Sequence, residues 1–346
     1  MEDKARQLHP RLISSFSQGA LMAYAAAKDI GSEIPVIDMA PLIDGTQAQI
    51  ERVADDIRRA AIDIGFFYVK NHGVSQILYD RALTAAKAFF ALPLETKSQL
   101  GISKRHRGFV AIGGANVAQG KRIDAKETFS WGLELPEDDP DVIRINGLPG
   151  PNNWPSFFPQ LQPALYDYFL ASFECGDRLL RAIAISLGID PEFFLKRYSK
   201  PFARGQIIHY PPQSPSAGVE QFGIGEHTDF GAITLLWQDM NGGLQVKSRS
   251  GDWVHATPIE GTMVINIGDL LERWSNDRFK SNPHRVVNKS GRDRYSLTVF
   301  YDPDYPTIVD PREMGLPPGM TPKYEPVVAG DHIRSRFDKT FSYRQK

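Results

Sequence analysis

Two histidines and an aspartate carry the most specific chemistry this sequence can do. His227 and Asp229 stand two apart in HTDFG, and His284 follows after a long interval in NPHRVV. Two imidazoles and one carboxylate on one face of a divalent metal leave the opposite positions open. That is how a non-haem Fe(II) ion takes an oxo-acid and dioxygen together. A four-coordinate structural zinc would recruit cysteines or a fourth protein ligand. The one cysteine, Cys175, lies in the helical pattern LASFECGDRLL and reads as a packed thiol. Ten residues past His284 comes Arg294, with Ser296 two positions on. In a strand these two side chains share a face, and a guanidinium beside a hydroxyl grips a carboxylate through up to three hydrogen bonds. Tyr210, in HYPP ahead of the metal motif, offers another hydroxyl. A lone His-x-Asp pair is ordinary in any strand; its coincidence with NPHRV and RYS makes the metal reading specific. His209 and His255 read as ordinary strand residues.

These groups must be positioned by strands. Beyond Phe202, short apolar runs alternate with turns: GQIIHYPP, HTDFGAITLLWQD, GGLQVKS, WVHATPI, TMVINIGD, HRVVNK and RYSLTVFYDPD. Seven or eight strands at this spacing predict a sandwich or jelly roll. MNGG (Met240 to Gly243) and KSGR (Lys289 to Arg292) place glycine where tight turns need it. The front of the chain is mixed. IPVIDMAPL reads as a strand, the stretch from Thr46 to Ile64 as a helix (Ile50, Val53, Ile57, Ala61), and GFFYVKNHG as a buried strand. A second helix is expected from Ser75 to Leu92, with Ile77, Leu78, Ala82, Ala85, Phe89 and Phe90 inward and Pro93 ending it. A strand follows near Thr128 to Leu135, and the longest helix spans Phe158 to Leu187, closed by Gly188. The predicted class is α+β with a mainly β core. Its parts are an N-terminal extension or helix (1–33), an α/β region (34–150), a long helical segment (151–201), the catalytic core (202–310) and a C-terminal segment able to act as a lid (311–346).

Bulk composition narrows the partners. Forty basic against 41 acidic residues give a net charge of −1, and 42% of residues are hydrophobic. There is no basic stripe of the kind a phosphate backbone requires, no apolar run of the roughly 18 residues that span a bilayer, and no secretory signal pattern. A cytoplasmic enzyme acting on a small molecule, without nucleic acid or membrane, is the expectation.

The motifs together resemble the Fe(II)- and 2-oxoglutarate-dependent dioxygenases, in the branch that includes isopenicillin N synthase and the plant flavonoid and hormone oxygenases. The resemblance runs from IPVIDMAPL and GFFYVKNHGV, through YPP, HTDFGAITLLWQD and GGLQV, to GDLLERWSNDRFKSNPHRVV and RYSLTVFYDPD. It implies a double-stranded β-helix, a distorted jelly roll flanked by helices. It also implies His227, Asp229 and His284 as iron ligands, and Arg294, Ser296 and Tyr210 as the group holding the far carboxylate of 2-oxoglutarate. The implied reaction consumes O2, releases succinate and CO2, and hydroxylates, desaturates or cyclises a small organic molecule. Two alternatives stand beside it: a synthase-like oxidase using Fe(II) and O2 without 2-oxoglutarate, and a non-catalytic binding protein on the same scaffold.

The chain departs from its relatives in two places. Ile208 stands where plant members often carry asparagine. Aligned on Gly108, His106, Arg107, Phe109 and Val110 replace the residues that help hold the synthase's tripeptide, which disfavours a penicillin-forming role. Candidate substrate contacts are Arg107, Phe109, Phe222 and Phe337, with the segment from Phe109 to Val117, Phe129, Trp131, Leu235 and Phe341 as further lining. The set is largely apolar and suits a medium-sized organic molecule.

Overall fold

The computed structural model describes residues 34–114, 124–145, 147–213, 222–341 and 344, together with a two-residue strand, β1 (Ala27–Lys28). Most of the N-terminal segment expected to be helical lies outside the described residues. Ala27 and Lys28 are strand rather than helix, because their backbone pairs in parallel with Trp253 and Val254.

The front half supplies β2 (Val36–Asp38), α1 (Pro41–Asp44), α2 (Gln47–Asp63), β3 (Phe66–Lys70), α3 (Gln76–Phe90), α4 (Leu94–Ser98), β4 (Gly108–Val110), β5 (Glu127–Gly132) and α5 (Pro140–Ile145). Thr46 and Gln49 form a reciprocal capping box that starts α2. Ser75 caps α3 by accepting from the Ile77 amide. Ile77, expected inward, is 77% exposed, and Tyr79 takes the buried position. The first turn of α3 overhangs the core, so only its later turns follow the apolar stripe. Helix α6 (Leu161–Ser186) is the longest, and it is followed by Gly188 at φ 70°. Cys175 is fully buried on its inner side, where loss of hydration pushes the thiol up to about 12.

Eight strands follow between residues 204 and 301: β6 (Arg204–Tyr210), β7 (Ile224–His227), β8 (Ile233–Gln238), β9 (Leu244–Lys247), β10 (Trp253–His255), β11 (Thr262–Ile267), β12 (His284–Val286) and β13 (Arg294–Tyr301). The run HTDFGAITLLWQD is split, with the loop from Thr228 to Ala232 separating β7 from β8. Short α7 (Asp269–Trp274) lies between β11 and β12, and a β14–β15 pair (Ile308–Val309, Val327–Val328) leads into α8 (Ala329–Thr340). Among the described residues no helix is long and apolar enough to cross a membrane.

Two sheets face each other. The large one has the order β2-β3-β11-β8-β13-β6-β5-β4, the small one β1-β10-β9-β12-β7. Most pairings are antiparallel, β2–β3 and β1–β10 being parallel. The pleat sends alternate residues of the large sheet to opposite sides. Phe67, Val69, Phe129, Trp131, Ile207, Ile233, Leu235, Met263, Ile265, Leu297 and Val299 pack with the inner faces of α2, α3 and α6 into one core. Phe66, Tyr68, Ile208, Tyr210 and Val264 point the other way, toward Ile224, Leu244, Val246, Val254 and Val286 of the small sheet. Burial of each such side chain stabilises the fold by about 1.5–3 kcal/mol. The two sheets form a jelly roll rather than a closed barrel.

Candidate active site

His227 ends β7, and His284 opens β12 directly across the ladder from it. Their rings lie 4.2 Å apart between centroids. Asp229 sits two residues along in the loop, with Oδ1 3.9 Å from His227 Nε2 and 3.8 Å from His284 Nε2. One donor atom from each residue lies within 4.8 Å of the others. The backbone sets the tautomers. His227 Nδ1–H donates to the Gly225 carbonyl (2.8 Å) and His284 Nδ1–H to the Asn282 carbonyl (3.2 Å), so both Nε2 lone pairs face the aspartate. Asp229 is oriented in the same way. Its Oδ2 accepts from Thr234 Oγ1 (2.6 Å) and Asn266 Nδ2 (2.8 Å), leaving Oδ1 toward the histidines.

The electrostatics agree with that orientation. Burial, reinforced by the neighbouring His284, pushes His227 down to about 3, so the ring is neutral and its lone pair available. Burial pushes the Asp229 carboxyl up, but the two imidazoles, Asn266 and Thr234 outweigh it and hold the group below the usual carboxylate range. Two imidazoles offering Nε2 and one ionised carboxylate form a donor set that fits a divalent transition metal with open positions.

Arg294 and Ser296 lie on β13, two apart and each 1% exposed. Tyr210 on β6 is the direct cross-strand partner of Arg294, and Ile208 that of Ser296. The Arg294 guanidinium stacks 4.7 Å from the Tyr210 ring centre. Arg294 Nε donates to the Gly242 carbonyl (2.6 Å) and Nη2 to Gln238 Oε1 (3.2 Å). The MNGG turn is therefore part of the site. Gly242 and Gly243 adopt φ 72° and 100°, and a Cβ on Gly243 would fall 2.4 Å from the Val287 carbonyl oxygen. Arg294 Nη1 and Ser296 Oγ are buried without a well-formed hydrogen bond, the Tyr210 hydroxyl being the polar group beside them. They suit a carboxylate brought by a ligand.

Triad and fork line one cavity, open at its mouth, together with Phe230, Phe300, Phe337 and Phe341. Of the candidate substrate contacts, Phe337 is in the wall. Arg107, Phe109 and Phe222 are not among the lining residues. Arg107 is buried behind it against Gly132, its Nη1 donating to the Arg105 carbonyl (3.1 Å), and its neighbour His106 lines the cavity instead. Phe109 packs beside Phe89 and Val110 lines the cavity, while Phe222 lies under the Arg285 guanidinium at 5.2 Å. Phe129, Trp131 and Leu235 face the helices, and Thr128, Thr234 and Leu236 occupy the cavity side. The reason is the pleat, in which a shift of one residue exchanges the faces. Residues 115–117 of the expected lining lie outside the described residues. His209 is held on the helix side between Glu127 Oε1 (2.8 Å) and Asp293 Oδ1 (2.7 Å), and His255 is outside the lining.

Thr234, Asn266, Lys126, Arg204 and Gln206 also line the cavity without belonging to the metal or carboxylate motifs. Polar residues inside otherwise apolar buried strands, as in TMVINI, are the signal that would have found them.

Comparison with known proteins is consistent with this geometry. Residues 34–157 match the model described as the non-haem dioxygenase in morphine synthesis N-terminal region, and residues 201–303 match the 2OG-Fe(II) oxygenase superfamily. The 2-oxoglutarate-Fe(II) type oxidoreductase hxnY of Emericella nidulans is 35% identical over 317 residues, covering 89% of this chain and 90% of its own. The 1-aminocyclopropane-1-carboxylate oxidase of Dictyostelium discoideum is 32% identical, with 89% of each chain covered. Among solved structures, a full-length Neurospora crassa protein in complex with alpha-KG superposes with a TM-score of 0.79 at 32% identity, over 88% of this chain and 95% of that one. The chain belongs to the 2OG-Fe(II) oxygenase superfamily. It is a 2-oxoglutarate-dependent oxidoreductase with Fe(II) as its metal.

Proposed function

We propose that His227, Asp229 and His284 are the protein ligands of the Fe(II), that Arg294, Ser296 and Tyr210 hold the distal carboxylate of 2-oxoglutarate, and that the remaining cavity takes a small organic substrate. The observation that carries this reading is the pair of buried atoms Arg294 Nη1 and Ser296 Oγ, with only the Tyr210 hydroxyl beside them, in the same cavity as the triad. A buried polar group left unpaired costs about 1–3 kcal/mol, and one ligand carboxylate relieves both. Gly242 and Gln238 fix the guanidinium beforehand, so little rotamer entropy is lost when the carboxylate arrives.

With iron, 2-oxoglutarate and dioxygen bound, the cofactor set supplies an oxidant able to attack an unactivated carbon, with succinate and CO2 as by-products. The chain's own work is placement. Thr234 and Asn266 hold Asp229, the backbone carbonyls of Gly225 and Asn282 hold the imidazoles, and Phe230, Phe300, Phe337 and Phe341 keep water from the reacting carbon. Crystals of the Neurospora crassa protein have been solved with thymine or 5-formyluracil beside alpha-KG. At 32% identity this supports a substrate on the scale of one ring for the present chain. The test is succinate release coupled to oxygen uptake. Both should require added 2-oxoglutarate and disappear in Asp229→Ala; oxygen uptake that persists in that variant would contradict the assignment.

A further inference from the structure

At the end of the cavity away from the Arg294 fork, two buried arginines sit side by side, and the oxo-acid reading uses neither. Arg204 opens β6, is 5% exposed and lines the cavity. Its Nη2 donates to Asp302 Oδ2 (2.8 Å), and Phe300 (4.7 Å), Phe337 (4.9 Å) and Phe202 (5.7 Å) cover its guanidinium. Gly132 on β5 is its direct cross-strand partner. Arg107, 2% exposed, lies over that glycine, where a Cβ would fall 2.1 Å from its Nη2. The Nε atoms of both arginines are buried without a partner. Burial and the neighbouring Arg204 push Arg107 down to about 9, so it stays charged at neutral pH. Burial and the same two arginines hold His106 well below the ordinary imidazole range, so that ring adds no charge.

The other cations near Arg107 each have an acid of their own. Arg204 pairs with Asp302, Lys126 lies 3.4 Å from Asp124, Arg105 pairs with Glu137 (2.7 Å) and Arg344 with Asp338 (2.7 Å). Arg107 has no carboxylate within ion-pair distance among the described residues, and its Nη1 donates only to the Arg105 carbonyl. Glu134, the acid that acts on it, is exposed and held by Asn152 Nδ2 (2.6 Å) and Trp154 Nε1 (3.0 Å). The metal end closes on itself once loaded, because the charges of Fe(II) and Arg294 equal those of Asp229 and the two carboxylates of 2-oxoglutarate. The Arg107–Arg204 end is left with a buried positive charge that no residue answers, and such a charge is costly until it is paired. A monoanion answers it; a neutral ligand does not.

We infer that the substrate is a small carboxylic acid bound as its anion, whose carboxylate accepts from the Arg204 guanidinium with Arg107 behind it as counter-charge, and whose apolar body lies among Phe300, Phe337 and Phe341. This rests on the reading of the cavity as the oxygenase site. The test uses the full chain loaded anaerobically with Fe(II) and 2-oxoglutarate. The weak visible band of that complex reports the oxo-acid, and calorimetry reports two probes of one shape, benzoate and its neutral counterpart benzamide. Benzoate should bind about tenfold or more tighter than benzamide, the range of a hydrogen bond to a charged group. Arg107→Met should bring the ratio close to one with the band unchanged, and Arg107→Lys, which keeps the charge, should restore it. Because an unpaired buried charge is replaced by an apolar chain, the urea midpoint of unliganded Arg107→Met should be unchanged or raised; a purely structural arginine would lower it. If that variant does not fold, the ratio in the unmodified protein and in Arg107→Lys carries the test. With a normal band, benzoate binding no tighter than benzamide, or an unchanged ratio in Arg107→Met, overturns the inference alone. Absence of the band in the unmodified protein overturns the oxygenase-site reading and the inference with it.

Discussion

The two faces of the large sheet differ in what they ask of the same strands. On β13, Leu297 and Val299 point to the helices, and Arg294, Ser296, Thr298 and Phe300 line the cavity. On β8 the helix side receives Ile233, Leu235 and Trp237, and the cavity side Thr234 and Leu236. One face is filled with interlocking apolar side chains; the other carries hydroxyls, amides and charges around open space. A substitution's consequence therefore follows from its place in the pleat, and adjacent residues should fail in different ways.

The contrast can be broken most severely at the triad. Asp229→Ala removes the carboxylate ligand and should reduce succinate release by more than the roughly 10- to 100-fold typical of residues that only orient a ligand, while circular dichroism shows the fold retained. On the helix side, Leu235→Ala should cost about 2–5 kcal/mol in urea unfolding, with the KM for 2-oxoglutarate unchanged. Its neighbour Thr234→Ala sharpens the comparison. It should weaken Fe(II) affinity about 10- to 100-fold yet shift the urea midpoint far less than Leu235→Ala. Arg294→Met should raise the KM for 2-oxoglutarate about tenfold or more, and Ser296→Ala by less.

The smallest effect belongs to the polar exception on the helix face. His209 bridges Glu127 and Asp293 and stacks on Tyr295 at 4.7 Å. Burial pulls its pKa down, but the two carboxylates outweigh burial and raise it above the ordinary value of 6.5. A group raised in the folded state stabilises fully below its unfolded pKa, and that contribution fades as pH rises through the folded pKa. His209→Gln should therefore lose about 1 kcal/mol near pH 6 and progressively less at alkaline pH, with succinate release unchanged. Equal losses at both pH values would contradict the bridge.

What the sequence makes legible follows the same division. Motif residues with unusual chemistry at fixed spacing, His227, Asp229, His284, Arg294, Ser296 and Tyr210, all reach one cavity, because ladder pairing brings His284 opposite His227 and Arg294 opposite Tyr210. Substrate-facing residues are less legible. Size and hydrophobicity favour Phe109, Phe129, Trp131 and Leu235 as lining, but large apolar side chains gain more by packing against helices, and the cavity takes Val110, Thr128, Thr234 and Leu236. The loop that separates β7 from β8 inside one apolar run is also invisible to periodicity. It exists because Asp229 must turn toward the histidines while Gly231 and Ala232 pass close against Asp302.

The central claim is that one cavity between the two sheets holds both the metal and the oxo-acid. An anaerobic titration of Fe(II) and then 2-oxoglutarate, followed by visible absorption, tests it most directly. The account predicts a weak charge-transfer band that needs both additions, is lost in Asp229→Ala, needs about tenfold or more 2-oxoglutarate in Arg294→Met, and is unchanged in Leu235→Ala. A band of full intensity and unaltered affinity in Arg294→Met would contradict it.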